Sequence, residues 1–141
     1  MPTENGRPVG MRLVLTGMPR MMSDILREIV SDSSFVGGVE EVPVSGDLRT
    51  AIDETHADFV IAGSRGGKLP KACKALMERL PNLTVLTVSP EGRHGWLYRT
   101  ASACRPVPDL SPVAVRSMVT TEFSARHRAR TRQPTERGFL P

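Results

Sequence analysis

Ala57-Asp58-Phe59-Val60-Ile61-Ala62-Gly63-Ser64-Arg65-Gly66-Gly67 decides the fold. Asp58 to Ala62 is a short, nearly continuous apolar run, the pattern of a strand buried on both faces. A glycine turn follows. Pro70 then suits the first turn of a helix, because its missing N–H is an orphan there anyway. Ala72, Cys73, Leu76, Met77 and Leu80 recur at helical spacing and predict one apolar face. A buried strand entering an amphipathic helix through a glycine turn is half of a βαβ unit, so parallel pairing is expected.

Upstream the same alternation occurs twice. Arg12 to Thr16 is an apolar run ended by Gly17, followed by Met22, Ile25, Leu26, Ile29 and Val30 on one helical face, with Ser23 as a predicted cap. Gly37-Gly38 predicts a break. Val39, Val42 and Val44 predict a strand that Pro43 confines to an edge. Ser45-Gly46-Asp47 predicts a turn and cap before a short helix over Leu48, Ala51 and Ile52.

Downstream, Leu83 to Val88 is a fourth strand, closed by Ser89-Pro90-Glu91-Gly92, and Trp96 to Arg99 a fifth. Residues 100–110 are expected to be irregular. Ser111-Pro112 is a cap and first helical position, and Val115, Met118 and Val119 predict a last helix ending near Phe123. Strands alternating with helices predict an α/β, three-layer doubly wound sheet of about five mostly parallel strands, ordered 2-1-3-4-5. The short link from Ser89 to Trp96 cannot hold a crossover helix, which allows an antiparallel last strand.

Charge divides the chain. Residues 124–141 carry five arginines and one acid, which is the whole net charge of +4; residues 1–123 carry fourteen basic and fourteen acidic groups. The expected organisation is a flexible leader over 1–10, a domain over 11–123 and a basic tail over 124–141, disordered in isolation. No apolar run approaches a membrane span and residues 1–10 lack the apolar core of a secretory signal. Cys73 and Cys104 are too few for a disulfide framework or an unaided zinc site and are expected as reduced thiols, which suits the cytoplasm. No cofactor or metal is expected. Lys68, Lys71 and Lys74 are expected on a solvated flank. His56, His94 and His127 are scattered without metal-ligand spacing. Trp96 and Tyr98 would share one strand face, for binding or for the core.

Over about residues 11–123 the chain resembles a response-regulator receiver domain. The resemblance rests on Val42-Pro43-Val44-Ser45-Gly46-Asp47-Leu48-Arg49-Thr50-Ala51-Ile52, on Ala57-Asp58-Phe59-Val60-Ile61 and on Leu80-Pro81-Asn82-Leu83-Thr84-Val85-Leu86-Thr87-Val88-Ser89. It implies a flavodoxin-like fold and five site groups at the carboxyl ends of the strands. These are two magnesium-binding acids, an aspartate nucleophile, a hydroxyl and a lysine. Here Gly17-Met18-Pro19-Arg20 supplies no acid after the first strand, Gly63 ends the third, and no lysine follows Lys74. Ser89 alone matches, with Arg105-Pro106 a loose stand-in for the lysine. Asp24 lies within the first helix and Asp58 at the wrong end of its strand. The resemblance thus implies a pseudo-receiver that takes no phosphate and is not an enzyme.

Its expected role is a regulatory, protein-docking module of bacterial signal transduction, with another protein or a second copy as partner. Two alternatives come from other classes. Gly63-Ser64-Arg65-Gly66 is similar to the start of the nucleotide loop of universal stress proteins, which makes Gly63, Ser64, Gly66, Gly67 and Ser89 candidate ligand contacts. Leu76 stands where that loop needs its third glycine, and Ala62 and Leu69 exclude a Walker A loop. Arg126, Arg128, Arg130 and Arg132 are candidate contacts to nucleic-acid phosphates or an acidic partner. Eighteen residues are too few for a helix-turn-helix domain.

Overall fold

In the computed structural model the described residues are 3–4, 7–8, 10–32, 36–43, 46–64 and 68–139, with side chains described within 10–125. Thr3–Glu4 and Arg7–Pro8 form a two-residue antiparallel ladder within the expected leader. The body has six strands: β1 (Met11–Thr16), β2 (Val36–Val42), β3 (Phe59–Gly63), β4 (Thr84–Val88), β5 (Gly95–Thr100) and β6 (Ala103–Val107). Its helices are α1 (Arg20–Ser31), α2 (Leu48–Thr55), α3 (Lys71–Arg79) and α4 (Pro112–Phe139). The sheet order is β2-β1-β3-β4-β5-β6. The first four strands are mutually parallel, with Leu13 opposite Phe59 and Phe59 opposite Thr84. Strands β5 and β6 are antiparallel additions, Val85 facing Tyr98 and Tyr98 facing Cys104.

Helices cover both faces. One core joins Leu26 and Val30 of α1 and Val115, Met118 and Val119 of α4 to Leu13, Phe59, Ile61 and Leu86. The other joins Leu48 and Ile52 of α2 and Cys73, Leu76 and Met77 of α3 to Val14, Val60, Val85 and Tyr98. Alternate residues of β3 thus feed opposite cores, which is why its sequence is apolar throughout. At about 25 cal/mol per Å² of apolar surface removed from water, these two layers are the main favourable term. Trp96 and Tyr98 both join the second core.

Several expectations need correction. Gly37-Gly38 lies inside β2, with Gly38 opposite Arg12. A Cβ at Gly38 would come 3.3 Å from the Arg12 guanidinium, so the glycine leaves room for that side chain. Ser23 does not cap α1. The helix starts a turn earlier, behind Pro19, and the Ser23 hydroxyl donates to the Arg20 carbonyl at 3.0 Å. Ile25 is 53% exposed, off the buried face carried by Ser23, Leu26 and Val30. Ala72 is likewise exposed on α3. Residues 103–107, expected to be irregular, form β6. Pro106 fits there because the strand is an edge with one side unpaired. Helix α4 runs on to Phe139 rather than ending near Phe123, through the segment expected to be disordered in isolation.

Other expectations hold. Strand β2 is an edge. The Asp47 carboxylate accepts from the Thr50 N–H at 3.3 Å and the Thr50 hydroxyl at 2.7 Å, capping α2. The Ser111 hydroxyl accepts from the Ala114 N–H at 3.1 Å and caps α4. Glu122, buried on α4, is paired with Arg99 of β5 at 3.2 Å, which offsets the cost of taking a carboxylate from water. Among the described residues no helix is long and apolar enough to cross a membrane.

Candidate functional site

In an open parallel sheet, ligands and chemistry collect outside the carboxyl ends of the strands, where the strand order reverses. Here the reversal lies between β1 and β3, whose ends are Thr16-Gly17 and Ala62-Gly63. This end of the sheet is closed by backbone. A Cβ built on Gly63 would lie 2.2 Å from the Gly17 carbonyl oxygen and 2.9 Å from its carbon. Gly17 has φ +72°, a left-handed conformation that glycine adopts without cost. Its own Cβ would stand 3.4 Å from the Gly63 carbonyl oxygen. The two glycines therefore pack main chain against main chain, and no side chain fits at the end of β3.

The strand end at β4 carries a hydroxyl that is committed within the fold. Ser89 Oγ accepts from the His94 N–H at 3.1 Å and the Arg93 N–H at 3.3 Å, while the Ser89 N–H donates to the His94 carbonyl at 2.8 Å. These bonds fold the turn that leads into β5. The Glu91 carboxyl in the same turn is held below its ordinary pKa, first by its own backbone N–H and then by the Ser89 hydroxyl. Ser89 thus works as a turn-former.

The glycine loop is only partly described. The Ser64 N–H donates to the Val88 carbonyl at 2.9 Å and its hydroxyl donates to the Lys68 carbonyl. Both donors of Ser64 are therefore used within the fold. Arg65, Gly66 and Gly67 lie outside the described residues, so the ligand role expected of Gly66 and Gly67 does too. The same holds for the side chains of Arg126, Arg128, Arg130 and Arg132.

The remaining candidates fall where their sequence positions imply. Asp24 is exposed on α1. Asp58 is at the amino end of β3, where its Oδ2 accepts from the Arg12 N–H at 3.1 Å. His56 is exposed and ends α2 in a left-handed conformation, φ 55°. Lys68, Lys71 and Lys74 are exposed, as is His94. Among the described residues no group of three or more His, Cys, Asp or Glu side chains comes together. Cys73 is buried, and burial pushes its thiol up to about 11; Cys104 is exposed.

Sequence reasoning missed one feature. Beside the Gly17–Gly63 contact, between the start of α2 and the length of α3, a cleft of about 520 Å³ opens. Leu48, Ala62, Ala75 and Leu76 line it with apolar surface, and Asp47, Arg49 and Arg79 line it with charge. A smaller recess of about 380 Å³ lies on the other side of Gly17, between α1 and β2. The small residues Ala72 and Ala75 were the available signal, because small side chains on a helix flank leave room beside it. No protein-family model, curated protein or solved structure matches the chain.

Proposed function

We propose that this chain is a receiver-like regulatory module that works by docking another protein, or a second copy of itself, without phosphoryl transfer. The reading places it in bacterial signal transduction, in the cytoplasm. Its fold supports the likeness: four parallel strands in the order 2-1-3-4, with α1 and α4 on one face and α2 and α3 on the other. One observation carries the rest, which is the main-chain contact of Gly63 with Gly17. A carboxylate nucleophile and its magnesium would need that space. With the space filled by backbone, the fold keeps a scaffold and loses the place for acyl phosphate.

The test is incubation with Mg²⁺ and acetyl phosphate, read by intact mass. The mass stays unchanged if the reading is right, and a stoichiometric gain of one phosphoryl group overturns it.

A second reading has one specific observation behind it, the confinement of the whole net charge to residues 124–141. Such a segment suits the phosphates of a nucleic acid. Four neutralised phosphates would give a slope of log K against log salt of about −3.6 on B-DNA. Deletion of residues 124–141 should remove salt-sensitive retention of duplex DNA, and unchanged retention refutes this reading.

A further inference from the structure

The cleft between α2 and α3 belongs to neither reading above, and two guanidiniums line it. Its charged lining is Arg49, Arg79 and Asp47. The Asp47 carboxylate is already committed: both oxygens take hydrogen bonds from Thr50, which hold its pKa below the usual carboxylate value. It is the cap of α2, and its charge lies beside the Arg49 guanidinium. Arg79 is held from α2, its Nη2 3.0 Å from Asp53 Oδ1. Among the described residues Arg49 makes no ion pair, and it is exposed in the first turn of α2. The lining thus carries two guanidiniums, Arg79 tied to Asp53 and Arg49 left with a free fork, over a floor built of Leu48, Ala62 and Leu76.

Size and place agree with a ligand site. A volume of about 520 Å³ lies within the range of small-molecule pockets, which combine mostly apolar walls with a few convergent polar groups. The cleft includes Thr16 and Ala62, the ends of the two strands between which the order reverses. The Gly17–Gly63 contact closes the space directly over β3, so the open volume is displaced sideways, into the α2–α3 gap. Guanidiniums select phosphate or carboxylate because their planar forks match two oxygens at once. The apolar floor selects a hydrophobic body attached to that anion, which a phenyl ring represents.

We infer that this cleft binds a small organic anion, a phosphate or carboxylate carried on an apolar group, with Arg49 as the principal charge contact and Arg79 as the second. The inference is independent of the docking reading, and the acetyl phosphate result leaves it untouched. The experiment is a ¹⁵N–¹H titration of the full chain with phenyl phosphate, alongside inorganic phosphate and benzyl alcohol. Phenyl phosphate should produce saturable shifts at the amides of Gly17, Ala62, Ala72 and Ala75, with inorganic phosphate and benzyl alcohol each at least about tenfold weaker. Arg49→Ala should weaken phenyl phosphate about tenfold, and Arg49→Lys less, since lysine keeps the charge and loses the fork. Ala75→Trp fills the cleft from an exposed position and should abolish binding at an unchanged melting temperature. Failure to saturate by about 10 mM overturns the inference. So do equal binding of inorganic phosphate and binding that survives Ala75→Trp. If Ala75→Trp does not fold, the Arg49 pair decides alone, and equal affinity in wild type and Arg49→Ala overturns it.

Discussion

The parallel half of the sheet and its antiparallel edge are built on different terms. In the parallel half, β3 and β4 are buried on both faces and helices supply every crossover. Its strand ends meet other main chain, as Gly63 meets Gly17. In the antiparallel half, a six-residue turn replaces a helix, and the four residues Ala103–Pro106 of β6 are exposed. The difference teaches where the molecule has spare room. Substitution should be felt sharply across β1, β3 and β4 and weakly along β6, with one exception where β5 begins.

Gly63→Asp should have the largest effect. Its Cβ cannot stand 2.2 Å from a carbonyl oxygen, so the Gly17 loop must move. A loss of about 4 kcal/mol or more is expected, by urea denaturation. A mild effect would mean that the end of β3 is as tolerant as β6. Phe59→Ala, at 0% exposure in the central strand, should cost about 3–5 kcal/mol in the same assay. The exception is Gly95→Ala at the start of β5, where a Cβ would come 2.5 Å from the Thr87 carbonyl oxygen. About 1–3 kcal/mol is expected there, and a neutral result would make the antiparallel edge uniformly tolerant. Arg105→Ala, exposed on β6, should stay within about 0.5 kcal/mol.

The two thiols report the same contrast by chemistry. Cys104 of β6 should react with iodoacetamide in the native protein while Cys73 of α3 does not, read by intact mass with peptide mapping. Burial raises the Cys73 pKa, so from about pH 9 to about 11 the unfolded chain loses this proton before the folded one. The folded state then binds more protons, and stability falls as pH rises through that window. Cys73→Ala should flatten that alkaline slope, measured by urea midpoints between pH 8 and 11.

The parallel half was also the legible half. Strands β1, β3 and β4 announce themselves because burial on two faces demands unbroken apolar runs, and α2 and α3 follow from spacing. Strand β2 was half read, because Gly37-Gly38 looks like a break until the Arg12 side chain is seen lying over Gly38. Strand β6 was missed because an edge with both faces wet needs no apolar pattern, and Pro106 argued against it. Ser23 and Ile25 misled for a shared reason: α1 starts at Arg20, and its buried face is centred on Leu26 and Val30. At the site, the lack of a side chain at position 63 was legible from one letter. Its closure was not, since that depends on the positive φ of Gly17 and on two strand ends far apart in sequence. The cleft was hidden for the same reason, as its walls come from four separate segments.

The Gly17–Gly63 contact also bears on how such a chain can change over generations. The genetic code separates glycine from aspartate by a single base, so an acid at position 63 is always one mutation away. The fold sets a longer distance. An acid there must arrive together with a new path for the loop at Gly17, and each change alone leaves a damaged molecule. Two residues without side chains thus stand between one base change and a tolerated acid, and the barrier is made of backbone.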